Sequence, residues 1–216
     1  MNNFKCALFD LDGTLVDTEG QYTIFWGEMA RTYRPDIPRL EHIIKGTTLV
    51  QIFDRYFPDP EVQRRIQQGL DQWEAQMNYD WVPGALEFLE DLRRHDVQCA
   101  IVTSSNQAKM RSVAAKVPGF HQLFDRVLTS EDFTASKPAP DCYLLGAHLF
   151  GRELTECVVF EDAFNGLQAG MSSGIYTVGL ATGLTPEQIA DKCHHVERDF
   201  TSLSFDRVNQ LLSERL

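Results

Sequence analysis

The order of strand-sized apolar runs and helical stripes restricts this chain more than any other feature. From Trp81 onward the two alternate. Strands are predicted over residues 97–102, 124–128, 157–160 and 175–178. Between and after them run helical stripes through Met110, Val113 and Val117, through Tyr143, Leu144 and Ala147, through Leu167, and through Phe205, Val208 and Leu211. Such alternation predicts a parallel sheet with helices on both faces. One more strand, residues 4–9, stands at the start. Between it and Trp81 every pattern is helical: Tyr22, Phe25, Trp26 and Met29 form one stripe, and Val62, Ile66, Leu70, Trp73 and Met77 another. The predicted fold is therefore α/β: a Rossmann-like core from residues 1–17 and 81–216, with an all-helical cap inserted over 18–80.

The first strand ends in Asp10, Asp12 and Gly13, two carboxylates and a flexible turn at the carboxyl edge of the sheet. Ligands of open α/β sheets bind at that edge. Later strands end in Thr103 and Ser104 and in Glu161 and Asp162, while Lys137 precedes a predicted helix. Each piece has a plainer reading alone: Thr103 to Asn106 as a helix cap, Lys137-Pro138 as a surface helix entry, Glu161-Asp162 as favourable charge at a helix start. Together, at successive strand ends, they converge on one place. Asp10, Asp12, Glu161 and Asp162 repel one another unless a cation sits among them, and an all-oxygen set suits magnesium, particularly beside a phosphate. Hydroxyls, backbone N–H groups and a lysine are what phosphoryl oxygens require. In the helical insertion Lys45, Gly46, Thr47 and Thr48 combine a cation, a hinge and two hydroxyls, as a polar, hydroxylated ligand would need.

Composition removes several classes. The formal charge of −11 argues against nucleic acid and anionic membranes as partners. No apolar run approaches the roughly 20 residues of a membrane span, and the first apolar run, bounded by Lys5 and Asp10, is too short for a signal peptide. The five scattered cysteines suit free thiols of a reducing compartment, so a cytoplasmic location is expected. His194-His195 has no partner at ligand spacing and reads as surface.

These motifs resemble the haloacid dehalogenase-like (HAD) superfamily along essentially the whole chain. The likeness rests on Asp10-Leu11-Asp12-Gly13-Thr14, Thr103, Lys137-Pro138, and Glu161-Asp162 followed by Gly166 and Gly170. Pro83-Gly84 and the string from Lys137 to Asp141 look most like the β-phosphoglucomutase-like and small-metabolite phosphatase branch. The resemblance implies that Asp10 is a nucleophile forming an aspartyl-phosphate and Asp12 a general acid–base. It implies phosphate contacts from Thr103, Ser104 and Lys137. It further implies magnesium held by Asp10, the Asp12 carbonyl and Asp162, with Glu161 acting through water. Lys45, Gly46, Thr47 and Asn106 are candidate substrate contacts. The expected activity is magnesium-dependent hydrolysis of a small phosphorylated metabolite, a sugar phosphate, by a monomeric enzyme; the alternative is β-phosphoglucomutase. Mutases of the family carry a cap arginine and a cap histidine where this chain has Leu49 and Tyr22. Family dehalogenases lack the acid at Asp12, a phosphonate hydrolase would use Lys45 as an imine-forming amine, and a silent binding module has no use for the full acid set.

Overall fold

The computed structural model describes residues 4–45 and 47–214. Its sheet has six strands: β1 (Cys6–Phe9), β2 (Gln98–Val102), β3 (Arg126–Leu128), β4 (Cys157–Glu161), β5 (Tyr176–Leu180) and β6 (His195–Glu197). They lie in the order β3-β2-β1-β4-β5-β6, and all pairs are parallel. The chain steps from β1 to one edge, then returns to the other side of β1. That reversal opens a crevice beyond the ends of β1 and β4, where ligands of such sheets bind.

The strands are apolar on both sides because both are covered. Along β1, Ala7 and Phe9 join one core cluster while Cys6 and Leu8 join the other, the two-residue period of a strand. Helices α5 (Ala85–Arg94), α6 (Gln107–Lys116) and α9 (Phe205–Ser213) pack their apolar residues on the first face. Phe9 stacks on Phe160 there at 4.8 Å between ring centroids. Helices α7 (Asp141–Leu149) and α8 (Phe164–Ser173) cover the second face through residues such as Tyr143, Ala147 and Ala169.

Between β1 and α5 come α1 (Glu19–Tyr33), α2 (Leu40–Ile43), α3 (Leu49–Tyr56) and α4 (Pro60–Gln76), gathered around a separate cluster that includes Phe25, Trp26, Phe57, Ile66 and Leu70. Sequence signals set their starts: Thr48 and Gln51 form a capping box at α3, and Asp59 caps α4 ahead of Pro60. The two passages into and out of this helical group run side by side. The Asp17 N–H donates to the Asp80 carbonyl (2.8 Å), and the Val82 N–H to the Leu15 carbonyl (2.9 Å).

One sequence expectation needs correcting here. His194-His195 is not a loose surface pair. His195 opens β6, and His194 stacks on Tyr176 at 4.9 Å while its Nδ1 accepts from the Thr177 N–H (3.0 Å). A three-residue edge strand of half-buried residues is too short for periodicity to register.

Candidate active site

Asp10 follows the last residue of β1, and its N–H donates to the Phe160 carbonyl of β4 (3.0 Å). The aspartate is thereby fixed at the crevice between the two central strands. Lys137, 1% exposed, donates from Nζ to Asp10 Oδ1 (2.6 Å), Glu161 Oε1 (2.8 Å) and the Val102 carbonyl (3.0 Å). Burial alone would push the ammonium down, but Asp10 and Glu161 hold it well above the ordinary lysine range. Lys137 is thus a fixed charge and no surface helix entry.

The carboxylates are crowded. Asp10, Glu161 and Asp162 each present an oxygen within 4.8 Å of the other two. Burial, with repulsion from Glu161 and Asp12 and against the pull of Lys137, pushes Asp10 up to about 7. Asp162 is raised well above its ordinary value by burial first and then by Glu161, Glu19 and Asp10. Glu161 spends both oxygens within the chain, since Oε2 accepts from the N–H groups of Asp162 and Ala163 (both 2.8 Å). Asp162 accepts from Thr14 Oγ1 at Oδ1 (2.9 Å), which leaves Oδ2 beside Gly13. Gly13 has φ +78°, and a Cβ there would lie 2.3 Å from Asp162 Oδ2, so only glycine leaves that oxygen open. The free oxygens, the raised acids and the glycine cradle fit a small hard cation such as magnesium.

Asp12 sits on a different set of partners. Its Oδ1 accepts from Thr18 Oγ1 (2.6 Å) and from the Lys109 ammonium, and its Oδ2 accepts from Ser105 Oγ (3.0 Å). Neither Lys109 nor Thr18 was expected from sequence. A usable signal existed: Lys109, Val113 and Val117 stand at i, i+4 and i+8, which puts a charge on the stripe that faces the core. Glu19 was missed too. It pairs with Lys45, packs over Gly13, and is pushed up by burial against the pull of Lys45.

The loop after β2 divides its labour. Thr103 Oγ1 accepts from the Ser105 N–H (3.0 Å), which leaves its own proton to donate. The Ser104 hydroxyl is buried and has no hydrogen-bond partner among the described residues. Asn106 caps α6 by accepting from the Lys109 N–H (2.9 Å), so the plain capping reading holds for this residue. Thr103, Ser104 and Asn106 line a cavity of about 830 Å³, together with Asp10, Asp12, Tyr22, Trp26 and Lys45. Lys45 and Thr47 also line it; Gly46 lies outside the described residues. Thr47 donates to the Ile44 carbonyl (2.5 Å) and Thr48 caps α3, so both hydroxyls serve the local chain.

A Rossmann-like sheet with acids, a buried lysine and hydroxyls gathered at its carboxyl edge places the chain among the α/β enzymes that bind their ligands at that edge. The chain belongs to the haloacid dehalogenase-like hydrolase family, whose model it matches over residues 7–180. It is 30% identical to hexitol phosphatase A of Escherichia coli (strain K12) over 191 residues, 82% of each chain. It is also 30% identical to the fructose-1-phosphate phosphatase YqaB of the same strain over 181 residues, 79% of this chain and 93% of that one. A family IA HAD hydrolase from Entamoeba histolytica superposes with a TM-score of 0.83 at 22% identity, covering 97% of this chain and 99% of that one.

Proposed function

We propose that the protein hydrolyses the phosphate monoester of a small hydroxylated metabolite, a sugar phosphate, with magnesium and through an aspartyl-phosphate on Asp10. The observation that carries this reading is the pairing of Asp10 with Lys137 at the end of β1, with Asp10 lining a cavity whose size suits a small metabolite. Residues 18–80 act as the cap over that site, and the similarity to two sugar-phosphate phosphatases supports the substrate class.

Asp10 attacks phosphorus: an Oδ–P bond forms as the ester P–O bond breaks, and Asp12 gives its proton to the departing oxygen. Water then attacks the aspartyl-phosphate while Asp12 takes a proton back, which frees Asp10 and inorganic phosphate. The Thr103 and Ser104 hydroxyls donate to phosphoryl oxygens, and Lys137 offsets charge on the phosphoryl group and Asp10. Asp10, Asp162 and the Asp12 carbonyl would hold magnesium, with Glu161 behind them through a water. Bound there, the ion would offset negative charge on the phosphoryl oxygens.

A mutase has to grip a second phosphate while its bisphosphate intermediate reorients. Among the described lining residues no arginine occurs, and the one cation, Lys45, is already paired with Glu19. That observation favours hydrolysis. Phosphorus NMR on a hexitol monophosphate, fructose 1-phosphate and β-glucose 1-phosphate, each with magnesium and with chelator, tests the reading. Inorganic phosphate should appear only with magnesium. Isomerisation of β-glucose 1-phosphate outrunning phosphate release would overturn it.

A further inference from the structure

Lys109 is a buried charge that the proposed chemistry leaves without a task. Its side chain is fully buried, on the first turns of α6, and its ammonium meets Asp12 Oδ1. It also lies 4.4 Å from the centre of the Tyr22 ring, whose face attracts a cation. The Tyr22 hydroxyl donates to Glu74 Oε1 (2.7 Å), and Glu74, raised by burial, is drawn back down by Lys109. Asp12 and Lys109 belong to the sheet and its helices; Tyr22 comes from α1 and Glu74 from α4. A lysine seldom stands fully buried without paired partners, because desolvation costs several kcal/mol per ion. Here the partners are the second acid of the site on one side and, on the other, Tyr22 of the overlying helical group, which Glu74 holds in place.

Resting on the phosphatase reading, we propose that Lys109 is a positioning residue for Asp12. Together with Thr18 and Ser105 it fixes both oxygens of that carboxylate, and Tyr22, itself held by Glu74, holds the ammonium in turn. In the first chemical step the proton leaves Asp12 for the ester oxygen as the P–O bond breaks. The carboxylate left behind then faces three donors already in place, and donors aimed at developing charge lower the barrier without reorganising. Lys109 touches no reacting atom. Its effect reaches the reaction through Asp12 alone, and depends on how far the leaving group needs a proton.

The test compares two leaving groups. For Lys109→Met, kcat/KM should fall about 10²-fold with a hexitol monophosphate, whose alkoxide needs the proton, a loss typical of misplacing a catalytic group. With p-nitrophenyl phosphate, whose leaving group departs unaided, the fall should be under about tenfold. In an Asp12→Asn background the same substitution should cost little more on the hexitol substrate, since residues acting through one group are not additive. Lys109→Gln, which keeps a neutral donor, should fall between and serves for the whole comparison if the methionine variant does not fold. Equal losses on both substrates, or a full additional loss in the Asp12→Asn background, would mean that Lys109 only supports the fold and would overturn the proposal. If the unmodified protein hydrolyses neither substrate, the phosphatase reading fails, and this inference with it.

Discussion

Gly166→Ala is the smallest change that should disable the site from behind. Gly166 lies in the first turn of α8, and a Cβ there would stand 1.6 Å from Glu161 Oε1 and 1.9 Å from its Cδ. The free end of a side chain usually yields to such a clash at little cost. Glu161 cannot, because it is 1% exposed and held at Oε1 by Lys137 and at Oε2 by two backbone N–H groups. Moving the carboxylate strips Lys137 of one partner and leaves buried donors unpaired. Breaking a buried ion pair costs about 3–5 kcal/mol, and in a chain of this size each kcal/mol lowers the unfolding temperature by about 2–4 °C. The expected fall is therefore about 6–20 °C, with phosphate release lost as Lys137 drifts from Asp10. Differential scanning calorimetry beside a phosphate-release assay measures both. An unfolding temperature within 2 °C of the unmodified protein, with activity retained, would show that α8 can shift, and that the Glu161 network is softer than its contacts imply.

Asp10→Asn should leave the unfolding temperature nearly unchanged, since the amide oxygen can still accept from Lys137 and a charge that burial disfavours is removed, while phosphate release disappears; activity within tenfold of the unmodified protein would remove Asp10 as nucleophile. Without metal, stability should fall as pH rises from about 4 through about 7, because Asp10, raised to about 7 by burial, keeps in the folded state a proton that the unfolded chain releases near its ordinary value. Magnesium should therefore raise the unfolding temperature more at pH 8 than at pH 5, where it must displace that proton, and an equal or larger rise at pH 5 would contradict the assigned cluster. Leu49→Arg puts a guanidinium at the cavity wall, and should tighten inhibition by a hexose bisphosphate about 10–100-fold over any effect on a monophosphate, the range of one or two charge-assisted contacts. Equal effects on both ligands would mean that position 49 does not face the non-reacting end.

The sheet was legible because its signals are local. Strands β1, β2 and β4 are short apolar runs, each followed by polar residues that cannot continue into the core, and the helices between them carry stripes that only a sheet face can bury. Gly13 and Gly84 mark turns by composition alone, and both adopt positive φ. What escaped was structure made by pairing. Strand β6 exists because Gly179 and its neighbours on β5 offer an edge to Val196, and nothing inside His195–Glu197 announces that.

The same division runs through the site. Asp10, Glu161, Asp162 and Thr103 could be gathered by one rule, that parallel strands end on one edge. Lys109, Thr18 and Glu19 come from helices and linkers that pass over that edge, and their approach depends on how the helical group settles on the sheet. Yet the charge balance gives their presence a reason. Asp10, Asp12, Glu19, Glu74, Glu161 and Asp162 cluster around the cavity, and among the described residues only Lys45, Lys109 and Lys137 stand against them, each already paired. Burial pushes Asp10, Glu19, Glu74 and Asp162 toward holding protons, which is one way to relieve the excess. On the proposed function the site admits a phosphate monoester, itself anionic, and cannot rely on protons, because a protonated Asp10 would be no nucleophile. A divalent cation would relieve the same repulsion while leaving Asp10 ionised, so under the proposed function the crowding that looks unfavourable in the chain alone would make the site select metal and phosphate together.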